Sequence, residues 1–201
     1  WLLSPDGVTK RLVRDLWVST GSSSPTGFAV DTDRVLFAAR VGTGYDLFET
    51  RGTEQTTRPL TSMLGLATGP RLEVLGDRLI VRSGSSLYGA DRATLADWGP
   101  LGQISTTSLA PLNGALWFGG STPGSGTELW KTDGTRAGTV LVADVNSTPA
   151  TSGISSEGAV PVPGGLVFSG ADTSADFEPW FTNGTSAGTR RLVDLNPGAA
   201  A

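Results

Sequence analysis

The side chains able to do chemistry in this sequence are carboxylates, hydroxyls and aromatics, because the chain contains no histidine and no cysteine. Those absences remove Ser-His-Asp and Cys-His catalysis, imidazole and thiolate metal ligation, and the usual proton shuttle near neutral pH. What remains is oxygen chemistry. Asp172, Asp176 and Glu178 crowd one short stretch, and hard oxygens so spaced can hold Ca²⁺. The spacing is not that of an EF-hand, and a solvated acidic loop is the plainer reading. Asp31 and Asp33 form a weaker pair of the same kind. Two acids about 5 to 9.5 Å apart across a sugar would hydrolyse a glycoside. Only Glu73, with Asp31 and Asp33 at a nearby turn, approaches such a placement, so the expectation is a protein that is not an enzyme and needs no cofactor, calcium being the one metal it could take.

Aromatic side chains carry the second candidate chemistry. Phe48, Tyr88, Trp130 and Trp180 occupy one position of a recurring segment, with Leu3 at that position in the first copy. Repeated aromatics can serve as sugar-stacking platforms, one per repeat, and gain avidity by number. Packing between neighbouring sheets is the competing role for large aromatics. Leu3 favours packing, since a leucine cannot stack on a sugar as a ring does.

The segment around that position is an internal repeat. Glu128-Leu-Trp-Lys-Thr-Asp-Gly-Thr-Arg-Ala-Gly-Thr139 returns as Glu178-Pro-Trp-Phe-Thr-Asn-Gly-Thr-Ser-Ala-Gly-Thr189, and weaker copies lie at Asp46–Thr53, Ser86–Arg92 and Trp1–Gly7. A second family of segments alternates with these: Arg34–Ala39, Arg78–Ser83, Ala115–Gly120 and Gly165–Gly170. Each follows a turn, Asp31-Thr-Asp33, Gly76-Asp77, Asn113-Gly114 or Gly164-Gly165, and each turn follows a short apolar stretch. Such turns supply the positive φ angles of tight hairpins. The flanking Val-, Leu-, Phe- and Trp-rich runs favour strands, and no stretch holds a helical period over three turns.

Each unit therefore predicts four strands: A, turn, B, loop, C, Asp-Gly turn, D. Four antiparallel strands every 40 to 50 residues are the pattern of a β-propeller blade. The expected fold is all-β, a single propeller domain spanning residues 1–201, with repeats at about 1–24, 25–66, 67–105, 106–152 and 153–201. Five C–D hairpins against four A–B hairpins predict five-bladed geometry with an incomplete first blade; four blades plus a cap hairpin is the alternative. Asp6, Asp91, Asp133 and Asn183 at the C–D turns are expected to accept N–H groups of their own turns. Glu128 and Glu178 recur as acids that need partners if buried, with Arg136, Arg190 and Arg191 as candidates. Asp15, Asp144 and Asp194 recur after strand D, which suggests a structural job.

Glu128-Leu-Trp-Lys-Thr-Asp-Gly-Thr135, with Ala137-Gly-Thr139 and Ala143-Asp-Val-Asn146 after it, closely resembles the bacterial ELWxxDGT repeat, typical of large secreted or surface proteins of myxobacteria and their relatives. The resemblance implies an extracellular or cell-surface setting and a repeat architecture. It implies no activity and brings no catalytic residues.

Composition bounds the partners. The chain has 201 residues, a net charge of −4 and no basic run, which leaves a nucleic-acid backbone little to bind. No apolar run approaches a membrane-spanning helix. The chain opens at Trp1 without a methionine, as a processed or excised piece would, so the missing A–B strands could come from another chain or segment. The function expected first is a non-catalytic binding or scaffold module whose partner is a protein or a glycan. A lectin-like propeller is the second expectation and a glycosidase-like enzyme the third.

Overall fold

A computed structural model describes the chain apart from residues 1, 18–20, 63, 68, 104–109, 123, 150, 174–175 and 198–201. Every regular element among the described residues is a strand, and no helix occurs among them. Strands β1 (Leu2–Leu3) and β2 (Lys10–Arg11) form a two-stranded ladder. Four antiparallel four-stranded sheets follow, each with its strands in chain order. They comprise β3 (Thr26–Asp31), β4 (Arg34–Val41), β5 (Gly44–Thr50) and β6 (Arg58–Pro59); β7 (Arg71–Leu75), β8 (Arg78–Ser83), β9 (Ser86–Asp91) and β10 (Gly99–Gln103); β11 (Ala110–Leu112), β12 (Ala115–Gly120), β13 (Glu128–Thr132) and β14 (Val140–Ala143); and β15 (Ile154–Val162), β16 (Gly165–Gly170), β17 (Glu178–Thr182) and β18 (Arg190–Arg191). Each sheet is one A-B-C-D set. In repeats two and three the B–C connection is a tight turn at Gly42-Thr43 and Gly84-Ser85, where a loop was expected; repeats four and five keep the loop.

The chain divides into two compact units, Trp1–Val74 with Ile80–Gly84, and Leu75–Leu79 with Ser85–Ala201. In the second unit the sheets β11–β14 and β15–β18 share one core. Ala110, Trp117, Leu129, Val142, Ala143 and Val145 of repeat four pack with Ile154, Leu166, Phe168 and Trp180 of repeat five. In the first unit, Phe37, Ala39 and Phe48 cluster with Leu16, while Leu36 and Leu47 are wholly buried.

The A–B turn at Asn113-Gly114 has positive φ at both residues (50° and 73°), as a type I′ hairpin requires. The C–D turns are closed by their own side chains. Asp133 accepts the N–H and hydroxyl of Thr135, and Asn183 does the same for Thr185. The preceding threonine bonds the threonine seven residues on in three repeats: Thr50 to Thr57 and Thr132 to Thr139 at 2.7 Å, Thr182 to Thr189 at 2.8 Å. Each first hydroxyl also accepts the N–H of its turn glycine, Gly52, Gly134 or Gly184. A basic side chain of the preceding repeat then donates to that glycine's carbonyl: Arg11 to Gly52, Arg78 to Gly134 and Lys131 to Gly184. The repeated Asp-Gly-Thr and Ala-Gly-Thr segments are thus devices of turn closure and stacking.

The strand-C aromatics are fitted to their B strands. Trp130 lies against Gly120 and Trp180 against Gly170, where an added Cβ would fall 2.8 Å from each indole Cδ1. In repeat two the equivalent pair is Ala39 and Phe48. A wide indole takes glycine opposite it, and a narrower phenyl leaves room for a methyl. Gly170→Ala is expected to destabilise the chain by about 1–3 kcal/mol through overpacking. Adding Trp180→Phe, which recreates the Ala39–Phe48 pairing, should recover much of that loss. Urea midpoints of the two variants check the pairing.

Candidate functional site

A groove of about 480 Å³ in the first unit opens onto apolar side chains and is lined by Val13, Phe28, Val30, Val35, Thr32, Asp33, Arg34, Thr50, Arg51 and Gly52. Strand β3 places Phe28 and Val30 on one face because alternate residues of a strand share a side. Phe28 stacks on Phe37 at 5.5 Å between ring centroids, and Phe37 stacks on Phe48 at 5.6 Å. Only the outermost ring is open: Phe28 is 62% exposed, whereas Phe48 is 5% exposed. At the turn beside it Thr32 has φ of 53°, an uncommon conformation for a β-branched residue.

The charges around the groove are paired. Arg51 donates to Asp33 at 2.8 Å, and its guanidinium holds the Asp33 carboxyl below the ordinary carboxylate range. Arg34 bridges Asp31, at 2.7 Å, and the wholly buried Glu49, which also accepts from Arg58 at 2.6 Å. Burial alone would push Glu49 up, but the two arginines outweigh it and hold its pKa below 4.5. The groove therefore offers carbon in its middle and matched ion pairs at its rim.

The recurring acids of strand C have a different job from the one expected of them. Glu128 is buried, and its partners are backbone N–H groups: Val145 at 2.6 Å and Asn146 at 3.3 Å on one oxygen, Gly153 at 3.0 Å on the other. Glu178 accepts from Leu195 at 3.0 Å and Asn196 at 3.3 Å, and Asp46 accepts from Leu64 at 2.7 Å. The expectation that Arg136, Arg190 or Arg191 would neutralise these acids is corrected: Arg191 bonds Asp176 and lies 3.8 Å from Asp194. The acid instead ties down the chain leaving strand D, whose N–H groups have no ladder partner. For Glu128, burial outweighs these hydrogen bonds and its pKa is raised above 4.5.

The other residues singled out by sequence lie as follows. Tyr88 is half-buried and stacked on Trp98 at 5.3 Å. Trp130 is half-buried and Trp180 buried, and both indole N–H groups are enclosed without a hydrogen-bond partner among the described residues. Asp172 is exposed, Asp176 bonds Arg191 at 3.5 Å, and Glu178 faces the backbone. The three do not converge, and no group of three or more His, Cys, Asp or Glu gathers as a metal site among the described residues. Asp31 and Asp33 are held by arginine, and Glu73 lies exposed on β7. Sequence reasoning missed Phe28 and Glu49. Alignment of the A strands sets Phe28 against Leu109 and Ala159, so the sequence marks the position as apolar without showing that its ring is exposed.

No protein-family model matches the chain, and no curated protein matches it in sequence. Among solved structures it resembles a puromycin hydrolase (S511A variant in complex with PGG) with a TM-score of 0.51 and 18% identity, over 88% of this chain and 30% of that one. It also aligns with an α-L-arabinofuranosidase from Clostridium thermocellum at a TM-score of 0.37 and 11% identity, over 86% of this chain and 74% of that one. The first likeness is one of fold alone, and the chain spans less than a third of that protein's length.

The two buried glutamates should leave opposite signatures in pH. Glu49 has a lowered pKa, so its contribution is full above the unfolded value and fades as pH falls through the folded one. Glu49→Gln, which removes one of the two anions that Arg34 bridges, should cost about 1–3 kcal/mol at neutral pH, and the deficit should shrink below about pH 4.5. Glu128 has a raised pKa, so its contribution is complete below the unfolded value and declines as pH rises through the folded one. The deficit of Glu128→Gln should therefore shrink toward neutral pH. Chemical denaturation of both variants across a pH series measures the two slopes.

Proposed function

We propose that the chain is a non-catalytic binding or scaffold module of ELWxxDGT-type repeats, arranged as β-propeller blades in five-bladed geometry and working outside the cell or at its surface. The observation that supports this most is the placement of its carboxylates. The acids that recur in strand C accept backbone N–H groups, Glu49 is held between arginines, and the open groove presents carbon. Hydrolysis needs an acid and a base turned toward substrate. Binding needs an exposed apolar anchor within a polar rim, which Phe28, Val30 and the Arg51–Asp33 pair supply. Face-to-face packing of β11–β14 on β15–β18 is the contact that successive blades would use.

A protein partner suits the groove best, because its central surface is aliphatic and aromatic and its charges are already matched. A lectin-like reading is favoured by one observation, the exposed Phe28 ring beside a polar pair, since a sugar can stack on such a ring.

The full chain should turn over no aryl glycoside, ester or peptide at acid, neutral or alkaline pH. On a glycan array it should show no ligand whose binding depends on Phe28. Turnover abolished by Asp33→Asn in a folded variant would instead make it an enzyme, and a sugar bound by the chain but not by Phe28→Ala would make it a lectin.

A further inference from the structure

Repeats two and five present equivalent faces with different cover. The register sets Phe37 and Phe48 of repeat two against Phe168 and Trp180 of repeat five, with Val35 matching Leu166, Phe28 matching Ala159 and Gly52 matching Gly184. In the second unit this face is closed. Leu166, Phe168 and Trp180 are buried beneath the A–B hairpin of repeat four, whose Ala110 and Trp117 join their core. The Trp117 ring reaches the turn of repeat five, 3.3 Å from where a Cβ on Gly184 would stand. In the first unit the same positions line the open groove. Val35 is half-buried, Phe28 exposed, and Gly52 stands at the rim. The segment around β1 and β2 covers only part of the face, through Leu16 on Phe37 and Phe48. Arg11 already reaches the Gly52 carbonyl as Lys131 reaches that of Gly184.

We propose that this groove is the docking socket for an antiparallel A–B β-hairpin of the same repeat type, additional to the four of residues 1–201 and presenting a large side chain at the position of Trp117. The inference rests on reading the repeats as parts of a binding module, and names the partner's chemistry. The hairpin's character is read from β11–β12: a short strand, an Asn-Gly turn, and a strand with tryptophan on the covering face. Phe28, where repeat five has alanine, makes the hairpin's first strand one of small residues at the point of contact, as Ala110 is in β11.

The test supplies that hairpin at high effective concentration. Residues 106–127 are joined ahead of Trp1 in the full chain, a register in which Trp1 takes the place of Glu128 and Leu3 that of Trp130. The extended chain is expected to unfold about 5 °C or more above the chain itself. Phe28→Asp should be nearly silent in the chain itself and should remove most of the gain in the extended one. Trp117→Asp, placed in the appended copy alone, should remove it as well. Equal midpoints with and without the extension would overturn the proposal, as would a gain that survives either aspartate. A concentration-dependent dimer of the unextended chain, abolished by Phe28→Asp, would overturn it in favour of self-association. Catalytic turnover would defeat the binding-module reading without moving these midpoints, so the two can fail separately.

Discussion

A buried carboxylate that accepts backbone N–H groups is the interaction on which repeats two, four and five depend. After strand D the chain must leave its sheet and start the next one, and the N–H groups along that path have no ladder to join. Unpaired, each would carry a desolvation penalty of about 1–3 kcal/mol. Glu128 takes two of them just after β14, and it shares with the Thr127 carbonyl the N–H of Gly153, just before β15. One side chain at the head of strand C thus fixes where its own repeat ends and where the next begins. The same chemistry explains Gly153, since a Cβ there would lie 2.4 Å from a Glu128 oxygen. Glu178 and Asp46 repeat the arrangement, Glu178 accepting from Leu195 and Asn196 and Asp46 from Leu64.

The carboxylate works only if strand C is held at the correct height, and the turn threonines and strand-C aromatics do that. The Thr132–Thr139 hydroxyl pair closes the C–D hairpin from within, and the indole of Trp130 over Gly120 sets the spacing of B and C opposite the acid. Residues that look like a hydrophilic motif in sequence are therefore mostly internal wiring. They leave little free polar chemistry among the described residues, and the open surface of the first unit is an apolar groove.

Much of the architecture was readable because hairpin turns and strand alternation are local. Asn113-Gly114 announces its turn whatever surrounds it, and the 50-residue echo of Glu128–Thr139 sets the register of β13 and β17. The tight B–C turns of repeats two and three were less visible, since Gly42-Thr43 and Gly84-Ser85 also suit a longer loop. The partners of Glu128 were misjudged for a different reason. A sequence shows charged residues as candidates for acids but shows no backbone N–H groups, and those are the donors that a chain between two sheets leaves over. The groove was hidden because exposure of Phe28 depends on what covers a face, and covering is a tertiary property.

Comparison among the copies separates framework from specificity. Where repeats two, four and five agree, in the strand-C acid, the threonine pair and the turn glycine, the side chains close hydrogen bonds within the fold. Where repeat two departs, the differences gather in one place. Phe28 replaces Leu109 or Ala159, Arg34 replaces Ala115 or Gly165, Glu49 replaces Lys131 or Phe181, and Arg51 replaces Asp133 or Asn183. Phe28, Arg34 and Arg51 line the groove, and Glu49 lies beneath it, anchoring Arg34. Here the new charges neutralise one another, Arg34 with Glu49 and Arg51 with Asp33, and leave a single added ring exposed. Repeat two thus adds one exposed ring, Phe28, on one face of its sheet and a buried Arg34–Glu49 pair on the other, with Arg51 and Asp33 paired at the turn.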